Sequence, residues 1–128
     1  MAITSEIIGK LGGGDVETIP VNRLLKRGDG FQALHTIIVD RPSLVAVTLT
    51  HNNTDSFGGT NGKAALVIRG ASDAFYMGSY EVSAAAGKPL SIAASLTPGT
   101  WTIEAICNPG LGTSQYTAKT LTVATVQN

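Results

Sequence analysis

Apolar and polar positions alternate with period two along most of this chain, the pattern of strands with one buried and one wetter face. Leu90, Ile92, Ala94 and Leu96 alternate within Lys88–Leu96, as do Val45, Val47 and Leu49 within Leu44–His51. Lys63–Arg69 places Ala64, Leu66 and Ile68 on one face. Phe31–Val39 and Ala74–Val82 are also strand-like, the latter rich in Phe75, Tyr76 and Tyr80. In the last quarter, Trp101, Ile103, Ala105 and Cys107 share one face, and Thr100, Thr102 and Glu104 the other. A return strand places Leu121 and Val123 between Thr120, Thr122 and Ala124. Its Thr and Val content suits a pleated surface.

Turn signals separate these stretches about every ten residues. They are Asp40-Arg41-Pro42-Ser43, the polar run Asn52–Gly62, Ala84-Ala85-Ala86-Gly87, Pro98-Gly99 and Asn108-Pro109-Gly110. Proline lacks the N–H a ladder needs, and glycine accepts positive φ. The pattern predicts an all-β, single β-sandwich of seven strands, or eight if the Val16–Val21 segment pairs. It also predicts two local pairings. The Trp101 strand and the strand after Asn108–Gly110 form a closing β-hairpin. The strands flanking Asp40–Ser43 pair with His35 opposite Thr48. The run Leu96-Thr97-Pro98-Gly99-Thr100-Trp101 resembles the corner before the penultimate strand of immunoglobulin-like sandwiches, where a tyrosine hydroxyl usually bonds back to the chain. The resemblance implies a single immunoglobulin-like β-sandwich, although Trp101 cannot make that bond in the same way.

Residues 1–20 differ in character and are expected to be an N-terminal arm, with the sandwich over 21–128. Ser5 can cap a short helix carrying Ile7, Ile8 and Leu11, and Gly12-Gly13-Gly14 ends it as a hinge. A helix this short is marginal alone in water. Either its own sandwich or a partner must cover Ile3, Ile7, Ile8 and Leu11. These four residues are the candidate assembly anchor.

Composition narrows the function. The 128 residues hold nine basic and nine acidic side chains, so no basic field tracks a phosphate backbone, and nucleic acid is not the expected partner. The charged fraction, 14%, is well under the roughly 25% usual for soluble domains. Low charge with a neutral sum favours association, so neighbours covering much of the surface, or self-association, fit it better than a solitary life in solution. A Thr-rich β surface is the plainer alternative. Cys107 is the one cysteine, which excludes an internal disulfide and reads as a buried thiol. The start lacks the basic and apolar blocks of a secretory leader, and no apolar run approaches membrane-spanning length, so no membrane is expected.

Candidate chemistry is sparse, and no enzyme is expected. His35 and His51 fall on opposite faces in the expected register, so they do not share a metal. No Gly-x-Ser-x-Gly elbow occurs. Glu81 and Glu104 have ordinary surface phasing. Gly9–Gly14 lacks the Gly-Lys-Ser/Thr ending of a phosphate loop and reads as a linker. Arg27-Gly28-Asp29 reads as a tight turn. No cofactor or metal is expected. The long loop offers Asn52, Asn53 and Phe57 as candidate exposed contacts.

The layout from Leu34–Val39 through Leu44–Asn53, Ala65–Gly70, Ala85–Leu90 and Leu96–Trp101 resembles small β-sandwich accessory proteins of tailed-bacteriophage virions. These include immunoglobulin-like capsid decoration proteins and domains of tail and fibre proteins. The resemblance covers roughly residues 31–126 and lies in strand order and turn type. It implies a many-copy structural protein of the virion, assembled in the host cytoplasm, whose partners are the major capsid protein or other virion proteins. Decoration of the capsid exterior is the leading expectation. A tail or fibre component is the second. A carbohydrate-binding module working through Trp101, Tyr76, Tyr80 and the Asn52–Gly62 loop is the third.

Overall fold

The computed structural model describes residues 15–52, 64–70, 80–82, 89–107 and 115–127. Its described strands are β1 (Asp15–Lys26), β2 (Gln32–Val39), β3 (Ser43–His51), β4 (Ala64–Gly70), β5 (Tyr80–Val82), β6 (Leu90–Leu96), β7 (Gly99–Cys107) and β8 (Gln115–Gln127). They form two four-stranded antiparallel sheets. One has the order β1-β8-β3-β6, the other β2-β7-β4-β5. The expected all-β sandwich is therefore present, with eight described strands. Val16–Val21, which stood between the arm and an eighth strand, lies in β1 and pairs with β8. The residues of the expected helix and glycine hinge lie outside the described residues. So do those at 74–79 of the Ala74–Val82 strand and the Asn108–Gly110 turn.

The inward faces are those that the alternation marks. Val45, Val47 and Leu49 are fully buried, as are Leu66, Ile68, Leu90, Ile103 and Leu121. Together with Trp101, Ala105, Cys107 and Val123 they make one core between the sheets. Each buried Val, Leu or Ile among them contributes about 1.5–3 kcal/mol by leaving water. One apolar face per strand suffices where a sheet covers only the other, and β4 differs in that Val67, between Leu66 and Ile68, is buried as well, outside this core.

Both expected local pairings are overturned. β7 lies between β2 and β4, whereas β8 lies between β1 and β3 in the opposite sheet, so the two do not form a hairpin. Nor do β2 and β3 pair. His35 faces Ile103 of β7, and Thr48 faces Ser91 and Thr122. The turns therefore carry the chain across the sandwich instead of back along it. Residues 40–42 suffice for one such crossing, and Ser43, buried at its end, donates from Oγ to the Arg41 carbonyl at 2.8 Å. Among the described strands, only β4 and β5 are both consecutive and paired. Two four-stranded sheets exchanging the chain in this way make an eight-stranded jelly roll. The immunoglobulin sandwich keeps several consecutive strands within one sheet. The sandwich class is thus the expected one, and its connectivity is of the jelly-roll kind.

The β6–β7 corner keeps the resemblance at local level. Residues 97–98 cross from one sheet to the other, and Gly99 takes φ 149°, which favours glycine. The Trp101 indole N–H donates to the Thr97 carbonyl at 2.9 Å. The aromatic lock of a tyrosine corner is made here by a different donor. At the other end of the sandwich, the Tyr116 hydroxyl donates to the Ile106 carbonyl at 3.0 Å.

Candidate functional site

The outer face of the β1-β8-β3-β6 sheet is built from the positions that alternate with its core residues. Registers place them in rows. Leu44 lies beside Val126 and Ser95, and Ala46 beside Ala124 and Ala93, with Val16 flanking Ala124. Thr48 lies beside Thr122 and Ser91, with Thr18 flanking Thr122, and Thr50 lies beside Thr120, which Pro20 flanks. None of these residues carries a charge. The threonines bond within the sheet: Thr50 Oγ1 donates to the Thr120 carbonyl at 3.3 Å and accepts from its N–H at 3.1 Å. Thr48 Oγ1 lies 3.4 Å from Ser91 Oγ. Cross-strand threonine pairs of this kind stabilise a sheet face by a few tenths of a kcal/mol to about 1 kcal/mol each. Lys119 is the only charged residue of β8, and it sits exposed where registers shift and a bulge interrupts the ladders.

The outer face of the second sheet differs. Arg69 Nε donates to Glu104 Oε1 at 3.0 Å, across β4 and β7, with both side chains partly covered. The Arg69 guanidinium also lies 5.9 Å from the centre of the Phe31 ring. Thr36, Thr102 and Arg69 share a row, and Ile38 pairs with Thr100. Ile38 is 82% exposed, the most open large apolar side chain among the described residues.

A cavity of about 410 Å³ opens between the sheets at the β1/β2 side. Asp15 and Glu17 line it from β1, Ile37 and His35 from β2, and Val123 and Thr125 from β8. His35 Nε2 lies 3.7 Å from Glu17 Oε1, an ion-pair distance when the imidazole is protonated. Sequence reasoning missed this pair, because nothing in the alternation tells that β1 and β2 stack across the sandwich. Further along the same side, Arg23 ties the two edges. Its Nη1 donates to the Ala33 carbonyl at 2.8 Å, and its Nη2 lies 3.4 Å from Gln32 Oε1.

Histidines His35 and His51 lie in different sheets. The His51 ring meets Tyr116 edge-on at 5.7 Å between centroids. Among the described residues, no three or more His, Cys, Asp or Glu side chains gather to hold a metal. Cys107 is buried, and burial pushes its thiol pKa up, partly offset by Arg27. Burial also raises the Tyr116 hydroxyl, with a further push from Cys107. In both, burial disfavours the ionised form. Arg27-Gly28-Asp29 forms the expected turn, closed by the Asp29 N–H on the Lys26 carbonyl at 3.2 Å.

Of the candidate contacts, Asn52 is exposed at the end of β3. Its Oδ1 accepts from the Thr117 N–H at 2.8 Å, and its own N–H donates to the Thr117 carbonyl at 3.1 Å. Its side chain extends the β3–β8 ladder. Asn53, Phe57 and the anchor residues Ile3, Ile7, Ile8 and Leu11 lie outside the described residues. Trp101 is 6% exposed and packs in the core, so its ring is not free to stack on a sugar.

No family model matches the chain, and no curated protein matches it in sequence. Among solved structures, it is similar to the crystal structure of FLHE, with a TM-score of 0.51 and 13% identity, over 91% of this chain and 97% of that one. It is also similar to the infectious bursal disease virus VP2 subviral particle, with a TM-score of 0.44 and 14% identity, over 89% of this chain and 33% of that one. A carbohydrate-binding module of Cellvibrio mixtus lichenase 5A, solved with cellotriose, matches at 0.47 and 8% identity, over 84% and 95%. At these identities the likeness is one of fold, a β-sandwich.

Proposed function

We propose that this chain is a non-enzymatic structural protein of a virion, a capsid decoration protein bound to the outside of the shell. The observation that carries the proposal is the outer face of the β1-β8-β3-β6 sheet, four strands wide and uncharged over its rows from Leu44 to Thr50, with Lys119 and Lys26 beyond them at one end. Such a face meets a partner without burying an unpaired ion, which would cost several kcal/mol per charge. Jelly rolls serve viral capsids and lectins alike, so the architecture is compatible with this role without requiring it. The anchor residues Ile3, Ile7, Ile8 and Leu11 would add an apolar arm leading into β1, and Asn53 and Phe57 a loop contact. Many weak contacts suffice when copies bind side by side. A tail or fibre location uses the same face with a different partner.

Co-sedimentation with purified particles tests the proposal. Thr122→Glu places a charge at the centre of the neutral face, and Thr102→Glu places one on the opposite face. Loss of particle binding by the first alone is the expected result. Equal binding by both variants and the unaltered chain would remove the face from the mechanism. Deleting residues 1–14, just short of β1, should leave a folded sandwich that binds particles poorly, and full incorporation would rule out the arm as principal anchor.

A further inference from the structure

The sandwich has two edge strands on its open side, β1 and β2, and they are defended differently. An edge strand presents backbone donors and acceptors to any other extended chain, and proteins blunt such edges with proline, bulges or charge. β1 has all three. Pro20 lies within it, a bulge at Val21–Asn22 puts Asn22 at φ 47°, and Glu17, Arg23 and Lys26 lie along it. From Thr36 to Val39, β2 has none, and its register with β7 runs unbroken from His35 to Val39. Among the described strands, it pairs only with β7. β6 is also an uncharged edge, but its outward residues are the small Ser91, Ala93 and Ser95. β2 instead leaves Ile38 82% exposed and has the 410 Å³ cavity beside it.

We propose that β2 is a pairing edge for β2 of a second copy of this chain, the two strands running antiparallel about Ile37. The register follows from the faces. Centred on Ile37, it sets Thr36 against Ile38 of the other copy, both outward, and His35 against Val39, both inward. Every side chain keeps the face it already has, which a one-residue slip would not allow. Each exposed Ile38 gains a β-branched neighbour, a favourable cross-strand pair. Ile37 of the second copy would extend toward the cavity between Ile37 and Val123, where the inter-sheet core now stops short. The segment Thr36–Val39 is neutral, so a two-fold contact brings no like charges together. An acidic segment would meet Asp15 and Glu17 at the cavity lip instead. The β2-containing sheets of the two copies would join into one through β7-β2-β2-β7, without involving the outer face of either β1-β8-β3-β6 sheet.

The pairing stands on the edge and the cavity and does not depend on the virion role. Sedimentation velocity of the full chain, up to about 1 mM, tests it first. A reversible dimer is expected, with Ile38→Lys weakening it at least about tenfold while its melting temperature stays within a few degrees. Mixing separately prepared Thr36→Cys and Ile38→Cys chains under mild oxidation should give the mixed disulfide dimer in preference to either like pair. A monomer throughout the concentration range, a dimer indifferent to Ile38→Lys, or no preference for the mixed pair would each overturn the proposal. A monomer that still binds particles would refute the pairing and leave the virion reading intact.

Discussion

β7 and β8 are the second strands of their sheets, and they invite comparison because they follow one another in the chain. Each buries one face: Trp101, Ile103, Ala105 and Cys107 on β7, Tyr116, Ala118, Leu121 and Val123 on β8. Each is tied at one end by an aromatic donor to a backbone carbonyl, Trp101 to Thr97 and Tyr116 to Ile106. The Tyr116 bond runs from one sheet to the other and closes the sandwich between them. Outside, they part. β7 shows Glu104 in an ion pair with Arg69, whereas the described outer positions of β8 that line its sheet face are Thr120, Thr122, Ala124 and Val126. The core demands the same of both strands, and only their outer faces are free to differ. Functional difference is therefore sought outside.

The largest test of that equivalence is to remove each anchor. Trp101→Ala should cost about 3–5 kcal/mol, because it empties a large volume in the core and frees the Thr97 carbonyl. Thermal melting reads this directly, and an unchanged midpoint would show that the corner does not depend on the ring. Gly70→Ala presses on the same ring from β4. A Cβ there would meet Trp101 Cζ3 at 3.0 Å, so a loss of about 1–3 kcal/mol is expected. On β8, Tyr116→Phe keeps the ring and removes one hydrogen bond, at about 1–2 kcal/mol.

Alkaline titration sharpens the β7–β8 contact further. The ordinary pKa values are 9.0 for Cys107 and 10.0 for Tyr116, and both are raised in the fold. A raised folded pKa means that the unfolded chain loses its proton first. The stabilisation is complete below these values and drains away as pH climbs, first above about 9 and then above about 10. Denaturant midpoints should fall across that range, and Tyr116→Phe should flatten the upper part of the fall. The smallest effect belongs to the outer ion pair. Glu104→Gln should cost about 0.5–1 kcal/mol, less in high salt, because the pair is only partly covered. A loss above about 3 kcal/mol would mean that Arg69 is left buried and uncompensated.

How much of this was legible beforehand differs between faces and neighbours. The inward phase of Val45, Val47, Leu49, Trp101, Ile103, Leu121 and Val123 could be read from alternation alone, because a side chain's face depends only on its place along its own strand. The neutral outer face was half legible. Its threonines, serines and alanines are plain in the sequence, but their assembly into a single surface needs β1, β8, β3 and β6 to be neighbours. The His35–Glu17 pair and the cavity were not legible at all, since both lie between strands of opposite sheets.

What the chain by itself determined is therefore the presence of most strands and the buried side of each. Alternation, Pro98-Gly99 and the Arg27–Asp29 turn carry that information locally. Which strand lies beside which was decided only in the tertiary structure. A strand with one apolar face fits either sheet equally well, and three linking residues at 40–42 are enough to cross from one to the other. The choice rests on how the whole set of inward faces closes over one core, a property of all the strands together.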